Sequence, residues 1–329
     1  MTTVADMLYQ LGGMPVLPPG YPVPPINGGQ YYFVDGSNGA DGNPGTSPGR
    51  AFATIQRAMD VIGTNAGCTV IVLPKKMAEG DTDPNSYAET VTINGPSTAL
   101  IGVQRGRTQG GLPQIKAGSG STAQITVNAP GCLISGMGIN GGGATGGGIL
   151  LNDNGSTYSA TGTTIYGCHF KNCVGSTATN AATGGAIMWS ANGGAWQTLI
   201  QNNRFYKNTA DVVLKGTSVS VPQDVVIDSN VFSGPAASVD CNLYLSGGSG
   251  MNGVVVSNNV FPCFPAIGSG SNATPIKATG CVGILSGNTF GCTGKTFGAA
   301  GNVVIPATVF MANNYQEAAA GNSGEIGRT

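Results

Sequence analysis

One phrase recurs along this chain, and the recurrence limits the fold more than any other feature does. It appears as TTIYGCHF (163–170), TLIQNNRF (198–205), VVIDSNVF (225–232), VVVSNNVF (254–261), VGILSGNTF (282–290) and TVFMANNY (308–315). The closing aromatics, Phe170, Phe205, Phe232, Phe261, Phe290 and Tyr315, stand 35, 27, 29, 29 and 25 residues apart. Five positions before each lies an apolar residue: Ile165, Ile200, Ile227, Val256, Leu285 and Phe310. Two positions before each lies Cys168, Asn203, Asn230, Asn259, Asn288 or Asn313, so five of the six are asparagine. An earlier copy, CLISGMGI (132–139), keeps Ile134 and Ile139 in the apolar slots and has Met137 in the asparagine slot. Self-similarity at a period of this size is the signature of a stacked-repeat architecture.

In a parallel β-solenoid, equivalent residues of successive coils stack one inter-strand spacing apart, about 4.8 Å. Inward isoleucines then stack on isoleucines. Turn asparagines stack on turn asparagines, because Asn tolerates left-handed backbone angles and its amides can bond in a ladder. The expected ladder is Asn203, Asn230, Asn259, Asn288 and Asn313. The uneven steps fall in loops on the flank. A β-sandwich with similar strands is the rival architecture.

Composition agrees with a coiled, turn-rich chain. Of 329 residues 55 are Gly, 40% are hydrophobic and only 9% are charged, against about a quarter charged in ordinary domains. A formal net charge of −1 argues against nucleic acid as a partner, since phosphate binding needs a basic patch. No run of eighteen apolar residues suggests a membrane helix. The opening MTTVADMLYQLGG has no basic stretch or continuous apolar run, so no signal peptide is expected. The eight cysteines form no C-x-x-C pair and are expected to be buried thiols. No metal site or cofactor is expected, because CHFKNC (168–173) offers fewer than the four ligands of a structural zinc.

The segment YYFVDGSNGADGNPGTSPGRAFATIQRAMDVI (31–62) starts as a strand, passes through a turn-rich loop and ends helical. Ile55, Ala58, Met59 and Ile62 share one helical face, with Thr54 as N-cap and Gly63 as stop. An open solenoid end exposes its core and strand edges, and such a helix covers them. TVIVLP (69–74), AETVTI (88–93) and TALIGV (98–103) follow as strands.

From residue 31 to about 103 this opening resembles right-handed parallel β-helix proteins of the pectin-lyase-like superfamily, and the coil phrases extend the likeness loosely to about 315. The resemblance implies an all-β, single-stranded right-handed parallel β-helix with an N-terminal capping helix. The expected parts are a Pro-rich anchoring arm (1–29), a cap (30–65), the β-helix (66–316) and a C-terminal tail (317–329). That superfamily includes pectate lyases, polygalacturonases, phage tailspikes and other virion proteins, so the fold leaves function open.

Two features favour a structural role. Residues six before each aromatic should point outward, yet they are Thr164, Leu199, Val226, Val255, Ile284 and Val309. Leu199, Val226, Val255, Ile284 and Val309 form an apolar stripe of the kind that marks an interface, and side-by-side packing in a homotrimer would bury it. Cover by a local segment, or β-propensity alone, would also account for it. The second feature is the arm, where Met7, Leu8, Tyr9, Leu11, Met14, Val16 and Leu17 sit among prolines with Asp6 the one charge. Docking on another subunit or on capsid or tail proteins of a virion is the reading preferred here, with packing along its own β-helix as the alternative. The expectation is a non-enzymatic phage decoration or spike protein on the virion surface.

The rival is a tailspike-type protein that binds or cleaves polysaccharide. Cleavage would need paired outer carboxylates, and the candidates are Asp211 and Asp240, expected in loops of neighbouring coils, with Asp228 facing outward. Trp189 and Trp196 would offer aromatic faces to a glycan.

Overall fold

The computed structural model describes residues 29–76, 85–103, 111–116, 123–142, 147–152, 159–173, 185–189, 196–216, 221–233, 241–262, 274–291, 303–316 and 324–325. Nearly all regular structure is parallel β, wound as a solenoid with three faces. One turn of the chain shows the plan. Leu199–Gln201 lies on the first face, Arg204–Tyr206 on the second and Ala210–Lys215 on the third; Val226–Asp228 then returns to the first face, paired in parallel with Leu199–Gln201. Two long strands, Cys241–Ser257 and Thr274–Ser286, run unbroken from the third face onto the first.

Like residues stack on like. On the first face Val70, Leu100, Ile134, Ile165, Ile200, Ile227, Val256 and Leu285 occupy one register column, and all are buried. On the second face Phe170, Phe205, Phe232, Phe261 and Phe290 form a stack of rings with centroids 4.8–4.9 Å apart and planes within 15° of parallel. The spacing is that of the strands themselves, so the backbone sets the ring separation. Each stacked pair adds about 0.5–1.5 kcal/mol beyond the area it buries.

The asparagine column forms a hydrogen-bonded ladder along the corner between the first and second faces. The backbone N–H of Asn203 donates to Asn230 Oδ1 at 2.9 Å, that of Asn230 to Asn259 Oδ1 at 2.9 Å, and that of Asn259 to Asn288 Oδ1 at 3.0 Å. Each Nδ2 donates to the same oxygen and to a carbonyl of the preceding coil, as Asn230 does to Ile200 O at 2.9 Å. Every buried side chain in the column is thus satisfied, as an apolar surround demands. Cys168 takes the earlier place: its N–H donates to Asn203 Oδ1 at 2.9 Å and its thiol to the Tyr166 and Ile134 carbonyls.

Two details differ from the expectation. The left-handed residue at this corner is the one before the ladder asparagine: Gly167, Asn202, Ser229, Asn258, Gly287 and Asn313 have φ between 52° and 66°. The ladder asparagines are there for their amides, and the turn is made by their predecessors. The last coil is also displaced by one residue. Asn314, not Asn313, accepts from Asn288 N at 3.1 Å. Met311 pairs with Leu285 in the inward column, and Gln316 takes the place opposite Phe290. Phe310 therefore points outward and Val309 inward. The adjacent pair Asn313–Asn314 fits either register by eye, and the hydrogen bonds to Asn288 select one.

At the N-terminal end the helix Ile55–Ile62 buries Ile55, Ala58, Met59 and Ile62. Thr54 Oγ1 accepts from Arg57 N at 3.3 Å, and Gly63 closes the helix with φ 56°. The helix is tied to the first coil by Glu89, whose carboxylate accepts from Ile55 N at 2.9 Å and Gln56 N at 2.8 Å. A carboxylate at a helix N-terminus meets both free N–H groups and the favourable end of the dipole. At the other end, Gly324–Glu325 turns back antiparallel on Tyr315–Gln316. No helix among the described residues is long and apolar enough to cross a membrane.

Candidate functional site

The outer carboxylates are held in internal hydrogen bonds. Asp228 lies on the first face in an outward column with Tyr166, Gln201, Ser257 and Ser286. It accepts from Ser257 Oγ at 2.7 Å, Gln201 Nε2 at 3.0 Å, Asn258 Nδ2 at 2.9 Å and Ser229 Oγ at 2.9 Å. Partial burial pushes its pKa up, but these four bonds outweigh it and leave the carboxyl below its ordinary value. A carboxylate ligated in this way is a clip joining three successive coils.

Asp211 is not in a loop. It sits within the third-face strand Ala210–Lys215 and is 2% exposed. Its oxygens accept from Asn208 Nδ2 at 2.8 Å and Asn242 Nδ2 at 2.7 Å. Burial raises its pKa from 3.8 to about 7, against the downward pull of the two amides. Asp240, its expected partner, lies outside the described residues. The Asp211–Asp228 pair is no substitute, since the two stand on different faces.

Asp211 makes stability depend on pH. Its folded pKa lies above its unfolded one, so between about pH 4 and 7 the folded chain keeps a proton the unfolded chain has lost. Stability from this group falls as pH rises through that window and is level above it. Between pH 5 and 8 the loss is about 2–3 kcal/mol. Asp211→Asn should remove that slope, with the Asn242 amide turning over to match it. Urea unfolding of both proteins at pH 5 and 8 checks this; equal slopes would contradict it.

Trp189 is buried in the core, in register with Leu151 of the preceding coil, while Trp196 is 43% exposed and donates its Nε1–H to Val221 O at 2.8 Å. The two do not form a common aromatic platform. The thiols of Cys168 and Cys173 are buried, and burial pushes both up to about 12. His169, between them, is buried on the second face.

The outward column of the first face has a different character. Leu133, Thr164, Leu199, Val226, Val255, Ile284 and Phe310 stack in register. Near the N-terminal end it is closed: Leu133 packs with Ala99, Tyr166 and Ile101 in a small cluster of its own. Toward the C-terminal end it opens. Leu199, Val226 and Val255 are half-buried, Ile284 is 44% exposed and Phe310 is 66% exposed. Val309, expected in this stripe, is buried in the core, and Phe310 stands in its place. The sequence signal that would have found Phe310 is the neighbouring Asn314, which sets the register of the last coil. The arm residues Met7, Leu8, Tyr9, Leu11, Met14, Val16 and Leu17 lie outside the described residues.

No family model matches the chain, and no curated protein matches it. Among solved structures it is similar to the GH136 lacto-N-biosidase from Eubacterium ramulus, in native and selenomethionine forms. Sequence identity is 10% to each, the TM-scores are 0.32 and 0.35, and the match covers 88% of this chain and 68% and 67% of the other. A likeness at that level says nothing about activity.

Proposed function

We propose that this chain is a non-enzymatic structural protein of a phage virion. In this reading it is a β-helix decoration or spike that assembles as a homotrimer through its first face, is displayed on the virion surface and attaches to capsid or tail proteins through residues 1–29. The observation that carries it is the outward column from Leu199 to Phe310, apolar without interruption and most exposed in its last two members. An exposed apolar strip of that kind fits burial against a partner. By contrast, Met188 and Val213, which point outward on the third face, are already buried. Side-by-side packing of three copies about an axis along the solenoid sets each strip against its neighbours. Asp228, ligated by four neutral side chains, and Asp211, enclosed between two amides, act as structural clips in this reading. The virion setting rests on the resemblance of residues 31 to 103 to a superfamily that includes tailspikes.

The test is the combined variant Ile284→Asp, Phe310→Asp. Both side chains are exposed, so the fold should survive. Light scattering should show the particle mass falling from three chains to one, with an unchanged circular-dichroism spectrum. An unchanged mass would remove the first-face interface.

A further inference from the structure

The corner that carries the asparagine ladder separates two outward columns that open together. On the first face the column is closed at Leu133 and widest open at Ile284 and Phe310. On the second face Gly138 and His169 are buried, and the same column continues as Arg204, Val231, Val260, Thr289 and Tyr315. Val231 is half-buried and the other four are exposed. The two columns interlock by count. From the left-handed corner residue Asn258, the outward residues of the first face, Ser257 and Val255, stand one and three positions before it. The outward residue of the second face, Val260, stands two positions after it. The same count holds at Asn202, Ser229, Gly287 and Asn313. Because strands rise evenly per residue, the second-face column lies as far from the corner as the groove between the two first-face columns.

We propose that in the homotrimer described above, on which this inference rests, the first face of one copy packs on the second face of the next, with the ladder corner toward the threefold axis. A contact between two different patches closes into a ring when the rotation fits, and rotation about an axis along the solenoid keeps equal coils at equal height. Val231 of one copy then meets Val226 of the next, Val260 meets Val255, Thr289 meets Ile284 and Tyr315 meets Phe310. Charge favours the same arrangement. Asp228 lies in the polar column that borders the groove, and its four side-chain donors are all neutral. Arg204 is exposed and stands in the opposing column one coil earlier, a rise of about 4.8 Å that its side chain spans. A charge pair at that place fixes the register of the two copies along the axis.

Disulfide trapping on the full chain tests this. Two co-expressed chains, one with Ile284→Cys and the other with Thr289→Cys, should form a covalent pair of unlike chains on mild oxidation. Neither variant expressed alone should cross-link, nor should the parent. Covalent dimers from Ile284→Cys alone would set the first-face column against itself on the axis and overturn the proposal. Light scattering of the unoxidised mixture separates the two claims. A mass of three chains without a cross-link would overturn this packing and leave the trimer standing, whereas a mass of one chain would overturn both. The charge pair has its own readout. Arg204→Glu should raise the concentration at which half the chains are trimeric by about tenfold or more. Lys215→Glu makes the same change of charge at an exposed place on the third face and should raise it less than about threefold. Equal shifts would overturn the pairing of Arg204 with Asp228.

Discussion

Asn203→Leu should destabilise the protein by about 4 kcal/mol, whereas Asn202→Gly, one residue away, should leave stability within about 0.5 kcal/mol of the parent. The contrast follows from what each side chain does. Asn203 Oδ1 accepts the Cys168 N–H at 2.9 Å, and its Nδ2 donates to Ile165 O at 2.9 Å and Asn230 Oδ1 at 3.1 Å. Leucine nearly matches asparagine in length but offers none of these bonds. It leaves a backbone N–H and a carbonyl buried without partners, each worth ~1–3 kcal/mol, and its branched end crowds the corner. Asn202 holds φ 56°, a conformation glycine adopts freely. Urea unfolding of the two variants side by side is the measurement. A loss under about 1 kcal/mol for Asn203→Leu would mean that the ladder does not hold the coils together.

The second large effect is expected in the ring stack. Phe232 lies between Phe205, at 4.9 Å, and Phe261, at 4.8 Å, and is 1% exposed. Phe232→Ala removes both ring contacts and opens a void in a rigid corner, at a cost of about 3–5 kcal/mol, with the two lost stacking terms toward the upper end. Because each coil touches only its neighbours, the damage should be local. Hydrogen exchange should rise most in Arg204–Tyr206, Val231–Ser233 and Val260–Phe261, and least in the helix Ile55–Ile62. Uniform loss of protection along the whole chain would show that the solenoid unfolds as a single unit instead.

Much of the fold was legible because a solenoid converts one-dimensional periodicity into stacking. The recurrence of Ile165, Ile200, Ile227, Val256 and Leu285 at a constant distance from an aromatic can be satisfied by one inward column, and that column is present. The helix Ile55–Ile62 was legible for the same reason, its apolar face and its caps being local properties. The last coil was not, because it lacks the closing phenylalanine. With Tyr315 taken as the register mark, Asn313, Phe310 and Val309 each fall one place from where the strand pairing sets Asn314, Met311 and Phe310. Asp211 was placed in a loop, and not in a strand, for another reason. Whether an aspartate is an exposed acid or a buried clip depends on neighbours a whole coil away, and Asn242 stands 31 residues from Asp211.

The sequence by itself determined that the chain winds and which residues face its axis, since both follow from spacing along the chain and the period of side-chain alternation. Tertiary structure alone decided the exact register of the final coil, the enclosure of Asp211, the burial of Trp189 and the opening of the outer column toward Ile284 and Phe310. Those are properties of contacts between coils. Burial and hydrogen bonding are settled by what the next turn places overhead, and no local pattern encodes that.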